Sequence, residues 1–86
     1  MIHELDAVAL NVNLPAHGLK KGDVGTVVLL HRDGEMEVEF VAYSGDTVAL
    51  VHLQAKQVLP VGRNDVPHVR HRIAPERQRA SKAQAR

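Results

Sequence analysis

The alternation of apolar and polar positions is cleanest between Glu35 and Ala42. Met36, Val38, Phe40 and Ala42 fall on one side of an extended segment, and Glu35, Glu37 and Glu39 fall on the other. A period of two is that of a strand with one wet face. On a helix the same residues would place Glu35 and Glu39 beside Met36 and Phe40, with no apolar stripe. The run just before it, Thr26 to Leu30, is β-branched and apolar, which suits a pleated, half-buried surface. His31-Arg32-Asp33-Gly34 separates the two runs, and Asp-Gly is a strong hairpin signal. Gly34 is therefore expected at positive φ.

The same reading extends in both directions. Leu5 to Val12 predicts a first strand, with apolar residues on both faces and so covered on both. Asn13-Leu14-Pro15 ends it, because proline offers no donor and holds the preceding residue extended. A glycine-punctuated loop runs on to Asp23. Tyr43-Ser44-Gly45-Asp46 predicts a second turn and Thr47 to Leu53 a fourth strand. Gln54 to Gln57 suits a single helical or 3₁₀ turn. Val58 to Val61 is a short last strand, with Pro60 tolerated only at an edge. The expectation is an all-β domain over residues 1–61, a small SH3-like five-stranded barrel.

From Gly62 the periodicity fails. Residues 62–86 predict a basic flexible tail, extended to about residue 74 and then, from Pro75, rich in helix formers. That last piece is too short to hold a helix alone, so it is expected to be disordered or marginally helical. The charges divide at the same place. Residues 1–61 carry four Lys or Arg against eight Asp or Glu, and residues 62–86 carry seven against two. An acidic body thus precedes a basic tail.

Composition removes several classes of chemistry. The chain has no cysteine, which excludes disulfides and thiolate metal sites and fits a reducing cytoplasm. The first residues lack a signal-peptide pattern, and no apolar run spans a membrane. Phe40 and Tyr43 are the whole aromatic complement, little equipment for stacking bases. No Gly-Lys-Ser/Thr ending follows the Gly18–Gly25 loop, so no Walker site is expected. The two serines, Ser44 and Ser81, fall in a turn and in the tail, away from any nucleophile arrangement. His3, His17, His31 and His52 lie on separate segments, and the His68/His71 pair is read as exposed tail. No catalytic residue, metal site or cofactor is expected, and Glu37 and Glu39 on a wet face should titrate ordinarily.

Leu5-Asp6, Leu14-Pro15, Gly18-Leu19, Gly22, Gly25-Thr26-Val27-Val28, Val38-Glu39-Phe40, Gly45 and Thr47 form an ordered series. Over residues 5–60 it resembles a family of small bacterial proteins known as domain of unknown function 4926. The resemblance implies an SH3-like fold and carries no established activity; the tail lies outside it.

The function expected from these readings is a non-catalytic, cytoplasmic protein-binding or accessory module. Its candidate contact residues are Leu14, His17, Leu19, Lys20, Asp23, Glu35, Glu37 and Glu39. The alternative is an RNA- or ribosome-associated protein that uses Lys20, Lys21, Arg70, Arg72, Arg77 and Arg79 against phosphates. A second copy of the chain is a further candidate partner; a membrane is not.

Overall fold

The computed structural model describes residues 1–73. Five strands follow in chain order: β1 (Ala7–Leu10), β2 (Val24–Leu30), β3 (Met36–Val41), β4 (Thr47–Leu53) and β5 (Val58–Pro60). They form one antiparallel sheet in the order β4-β3-β2-β1-β5. Single 3₁₀ turns at Pro15–His17 and Ala55–Gln57 are the helical elements among the described residues. The architecture is all-β, as the alternation predicts. Strand pairing leaves β4 and β5 as the two edges, so the sheet is open rather than closed by hydrogen bonds.

Both hairpins follow one plan. His31 N–H donates to Glu35 O and Gly34 N–H to His31 O; Ala42 N–H donates to Asp46 O and Gly45 N–H to Ala42 O. Gly34 and Gly45 have φ of 89° and 94°, so a left-handed glycine closes each loop. Asp33 Oδ1 accepts from Glu35 N–H at 2.9 Å, the local bond that makes aspartate a turn residue.

The alternation sorts side chains as expected on β3, where Met36, Val38 and Phe40 are buried. Register aligns Val27, Val38 and Val51 in one row and Met36 with Leu53 in the next. Val8, Leu10, Val58 and Leu19 complete the core, and no polar residue is buried among the described residues. Gly25 is needed where the backbone meets this core: a Cβ there would lie 2.7 Å from Val38, 2.8 Å from Glu39 O and 2.9 Å from Phe40.

Two expectations change. β1 is only four residues long and covered on one face, with Ala7 exposed and Leu5 79% exposed. Leu5 and Ala7 are simply apolar residues facing water. The chain after Val61 carries no helix or strand up to Ile73, yet it is pinned to the body, as described next.

Candidate functional site

Polar chemistry gathers in two places. One is the loop from Asn13 to Asp23, which returns on itself through a Leu14–Leu19 bridge. The 3₁₀ turn Pro15–His17 ends at Gly18, whose φ is 68°. Leu19 turns inward and is 3% exposed, which makes this candidate contact residue part of the core. Leu14 is half-buried beside it, and His17 and Lys20 are exposed. Asp23 accepts from Lys20 N–H at 2.8 Å.

Asp23 also holds the tail. Arg70 Nε donates to Asp23 Oδ1 at 2.8 Å and Arg70 Nη2 to Asp23 Oδ2 at 2.6 Å, a two-pronged pair. Arg70 Nη2 donates in addition to Gly18 O at 2.9 Å. Nearby, the His68 ring lies against Gly22, where an added Cβ would sit 3.2 Å from Nε2. Burial works to raise the Asp23 pKa, but the bonds from Arg70 and from Lys20 N–H outweigh it and leave the carboxyl below its usual range. The Arg70 pKa is raised in turn by the bond to Asp23. Residues 61–70 thus form a strap across the loop. Of the proposed phosphate contacts, Lys20 and Lys21 are exposed, Arg70 is engaged with Asp23, Arg72 is half-buried, and Arg77 and Arg79 lie outside the described residues.

The second place is the outer face of β3 and β4. Register sets Glu37 opposite His52 and Glu39 opposite Leu50. His31, at the start of the hairpin loop, reaches the same spot. Its Nε2 lies 2.9 Å from Glu37 Oε2, and His52 Nδ1 lies 2.7 Å from the same oxygen. His52 Nε2 lies 2.5 Å from Glu35 Oε1. An ionised carboxylate only accepts, so a ring nitrogen facing one donates, and carboxylates at both nitrogens of His52 favour its protonated form. Its pKa is raised by the bonds to Glu35 and then Glu37; the Glu37 pKa is lowered by the bonds to His31 and then His52. The expectation of an ordinary wet acid row therefore fails at Glu37. Glu39 accepts from Thr47 Oγ1 at 2.9 Å. The donor atoms of His31, Glu37 and His52 all lie within 4.8 Å of one another, a spacing compatible with a metal ion among the described residues.

Between the strap and the β3–β4 hairpin lies an open groove of about 1200 Å³, lined in part by Phe40, Val41, Tyr43, Val48, Val61 and Pro67. Tyr43, at the hairpin tip, is 96% exposed. The His–Glu cluster lies outside this lining. Sequence spacing hid both polar assemblies. His31 and His52 are brought together by the antiparallel register, and Arg70 by a tail with no periodic signal. No helix among the described residues is long and apolar enough to cross a membrane.

These features define a small all-β domain, one antiparallel sheet with polar clusters on its loop and outer face. The chain belongs to the family described as domain of unknown function (DUF4926), whose model matches residues 4–60. No curated protein and no solved structure matches it.

Proposed function

We propose that this chain is a non-catalytic protein-binding module, built as an SH3-like barrel, that takes an extended segment of a partner protein along β4. The barrel reading is supported by the strand order and by a core drawn from all five strands of a single layer, which a flat sheet would leave open to water.

The observation that carries the binding reading is the contrast between the two edges. β5 is three residues long and contains Pro60, two devices that discourage edge pairing. β4 runs for seven residues, TVALVHL, with no proline, lysine or acidic residue. Val48 on this strand lines the groove, and Leu50 is 59% exposed. An extended peptide added to such an edge gains main-chain hydrogen bonds, while neighbouring pockets select its side chains.

The test is capture of a partner from lysate by the full chain and by Leu50→Lys, each with and without nuclease. Leu50 faces water opposite Glu39, so lysine leaves the fold intact while placing a charge on the edge. The reading expects a nuclease-resistant partner that Leu50→Lys loses. Capture that survives Leu50→Lys removes β4 as the docking edge. Capture abolished by nuclease replaces this reading with RNA binding through Lys20 and Lys21. Size-exclusion chromatography separates self-pairing of β4 from binding to another protein.

A further inference from the structure

We propose that His31, Glu37 and His52 form a binding site for a divalent transition-metal ion, with Nε2, Oε2 and Nδ1 as ligand atoms and Glu35 orienting His52. The inference rests on convergence. Three donors, from the β2–β3 hairpin loop, from β3 and from β4, meet on one side of the sheet, their atoms within 4.8 Å of one another. Two imidazoles and one carboxylate suit zinc and its neighbours, whereas magnesium and calcium call for oxygen ligands.

The arrangement has the details a site of this kind needs. A single oxygen, Glu37 Oε2, faces both rings, at 2.9 Å from His31 and 2.7 Å from His52. A tetrahedral ion with bonds of about 2.1 Å spaces its ligands by about 3.4 Å, so Glu37 needs to back away by roughly half an ångström. Its side chain is 27% exposed and so borders water on one side. The two rings, with centroids 5.2 Å apart and planes tilted by 38°, are splayed and not stacked flat. Glu35 Oε1 accepts from His52 Nε2 at 2.5 Å, which turns Nδ1 toward the centre. A carboxylate on the far nitrogen of a ligating histidine fixes its orientation and raises its basicity. An ion bound there takes the place of the hydrogen bonds between Glu37 and the two rings. Three protein donors leave at least one coordination position open to water or to a partner's side chain.

The site is independent of the strap. Arg70 and Asp23 belong to the other cluster, and the three ligands include neither His68 nor His71. That separation makes the test specific. Zinc, and separately magnesium, are titrated into the full chain by calorimetry. The same titrations are run on His52→Ala, Glu37→Gln, Glu35→Gln and a His68→Ala/His71→Ala double variant, with circular dichroism confirming that each is folded. The expected result is one equivalent of zinc, no saturable magnesium binding, and at least about tenfold weaker zinc binding in His52→Ala and Glu37→Gln. Glu35→Gln, which alters only the orienting bond, weakens zinc binding by roughly tenfold, and the double variant binds as the unaltered chain does. Zinc binding unchanged by His52→Ala and Glu37→Gln overturns the proposal. So does binding lost in the His68/His71 variant, or no saturable zinc binding at micromolar concentration by the folded chain.

Discussion

The Asp23–Arg70 clamp and the Glu35/Glu37/His31/His52 cluster use the same forces to different ends. In the clamp, side-chain exposures are 24% for Arg70 and 14% for Asp23, and the guanidinium is charged at every pH the protein meets. The clamp is therefore a fixed structural tie. In the outer cluster His52 is half exposed and its charge depends on pH. One region joins a loop to a strap; the other changes state with protons or, on the proposal above, with metal. The lesson is that the cation decides what happens as pH rises: arginine keeps its charge and histidine loses it.

The outer cluster is built on β3 and β4, and Asp23 directly precedes β2, so the largest effect comes from disturbing the β2–β3 ladder that joins them. Gly25→Ala drives a Cβ to 2.8 Å from Glu39 O, a backbone atom that cannot swing aside. The change should cost about 3 kcal/mol by overpacking, read as a lower urea midpoint. A stability equal to that of the unaltered chain would mean that β2 and β3 separate more easily than this close approach implies.

The next effect isolates the clamp. Asp23→Ala removes the acceptor for Arg70 and for Lys20 N–H and should cost about 2 kcal/mol, the scale of hydrogen bonds to charged groups that are mostly covered. Arg70→Ala should cost somewhat less, because Asp23 keeps its bond to Lys20 N–H. Cutting the chain after Val61 should reproduce Arg70→Ala, lowering the melting temperature by about 4–8 °C for each kcal/mol lost. A tail read as separate from the body would leave the melting temperature within a few degrees. Thermal melts of the three chains therefore measure how much the strap contributes.

The strap also shows where the sequence is legible. The strands, both glycine turns and the 3₁₀ turn before β5 follow from local signals: period two, Gly34 and Gly45, and the Gln54–Gln57 run. Those signals lie within a few residues of the structure they produce. Arg70 meets Asp23 across 47 residues, and His52 meets Glu37 across 15. Nothing local marks either pairing. The inner face of β3 could be read from alternation alone, whereas the outer partners of its glutamates required knowing which β4 residue stands opposite Glu37. Leu19 shows the same limit, an apolar loop residue whose inward turn depends on its bridge to Leu14.

The smallest effect is the most diagnostic of the conditional region. Glu37 has its pKa lowered from 4.5 by His31 and His52, so its stabilising share is complete above pH 4.5 and is lost as pH falls through the folded value. His52 has its pKa raised from 6.5 by Glu35 and Glu37, so its share is complete below pH 6.5 and is lost as pH rises through the folded value. Both shares are complete together between pH 4.5 and 6.5. The clamp behaves differently. Asp23 has its pKa lowered from 3.8, so its share falls away only on the acid side. Urea melts at about pH 5.5 and about pH 8.5, with a chelator present, should therefore show the unaltered chain losing a small increment that His52→Gln does not lose. Asp23→Ala should keep that alkaline decline, since its cation is an arginine. Identical pH dependence in the unaltered chain and His52→Gln would mean that water screens the outer cluster completely, and the division between a fixed and a conditional region would then rest on the clamp alone.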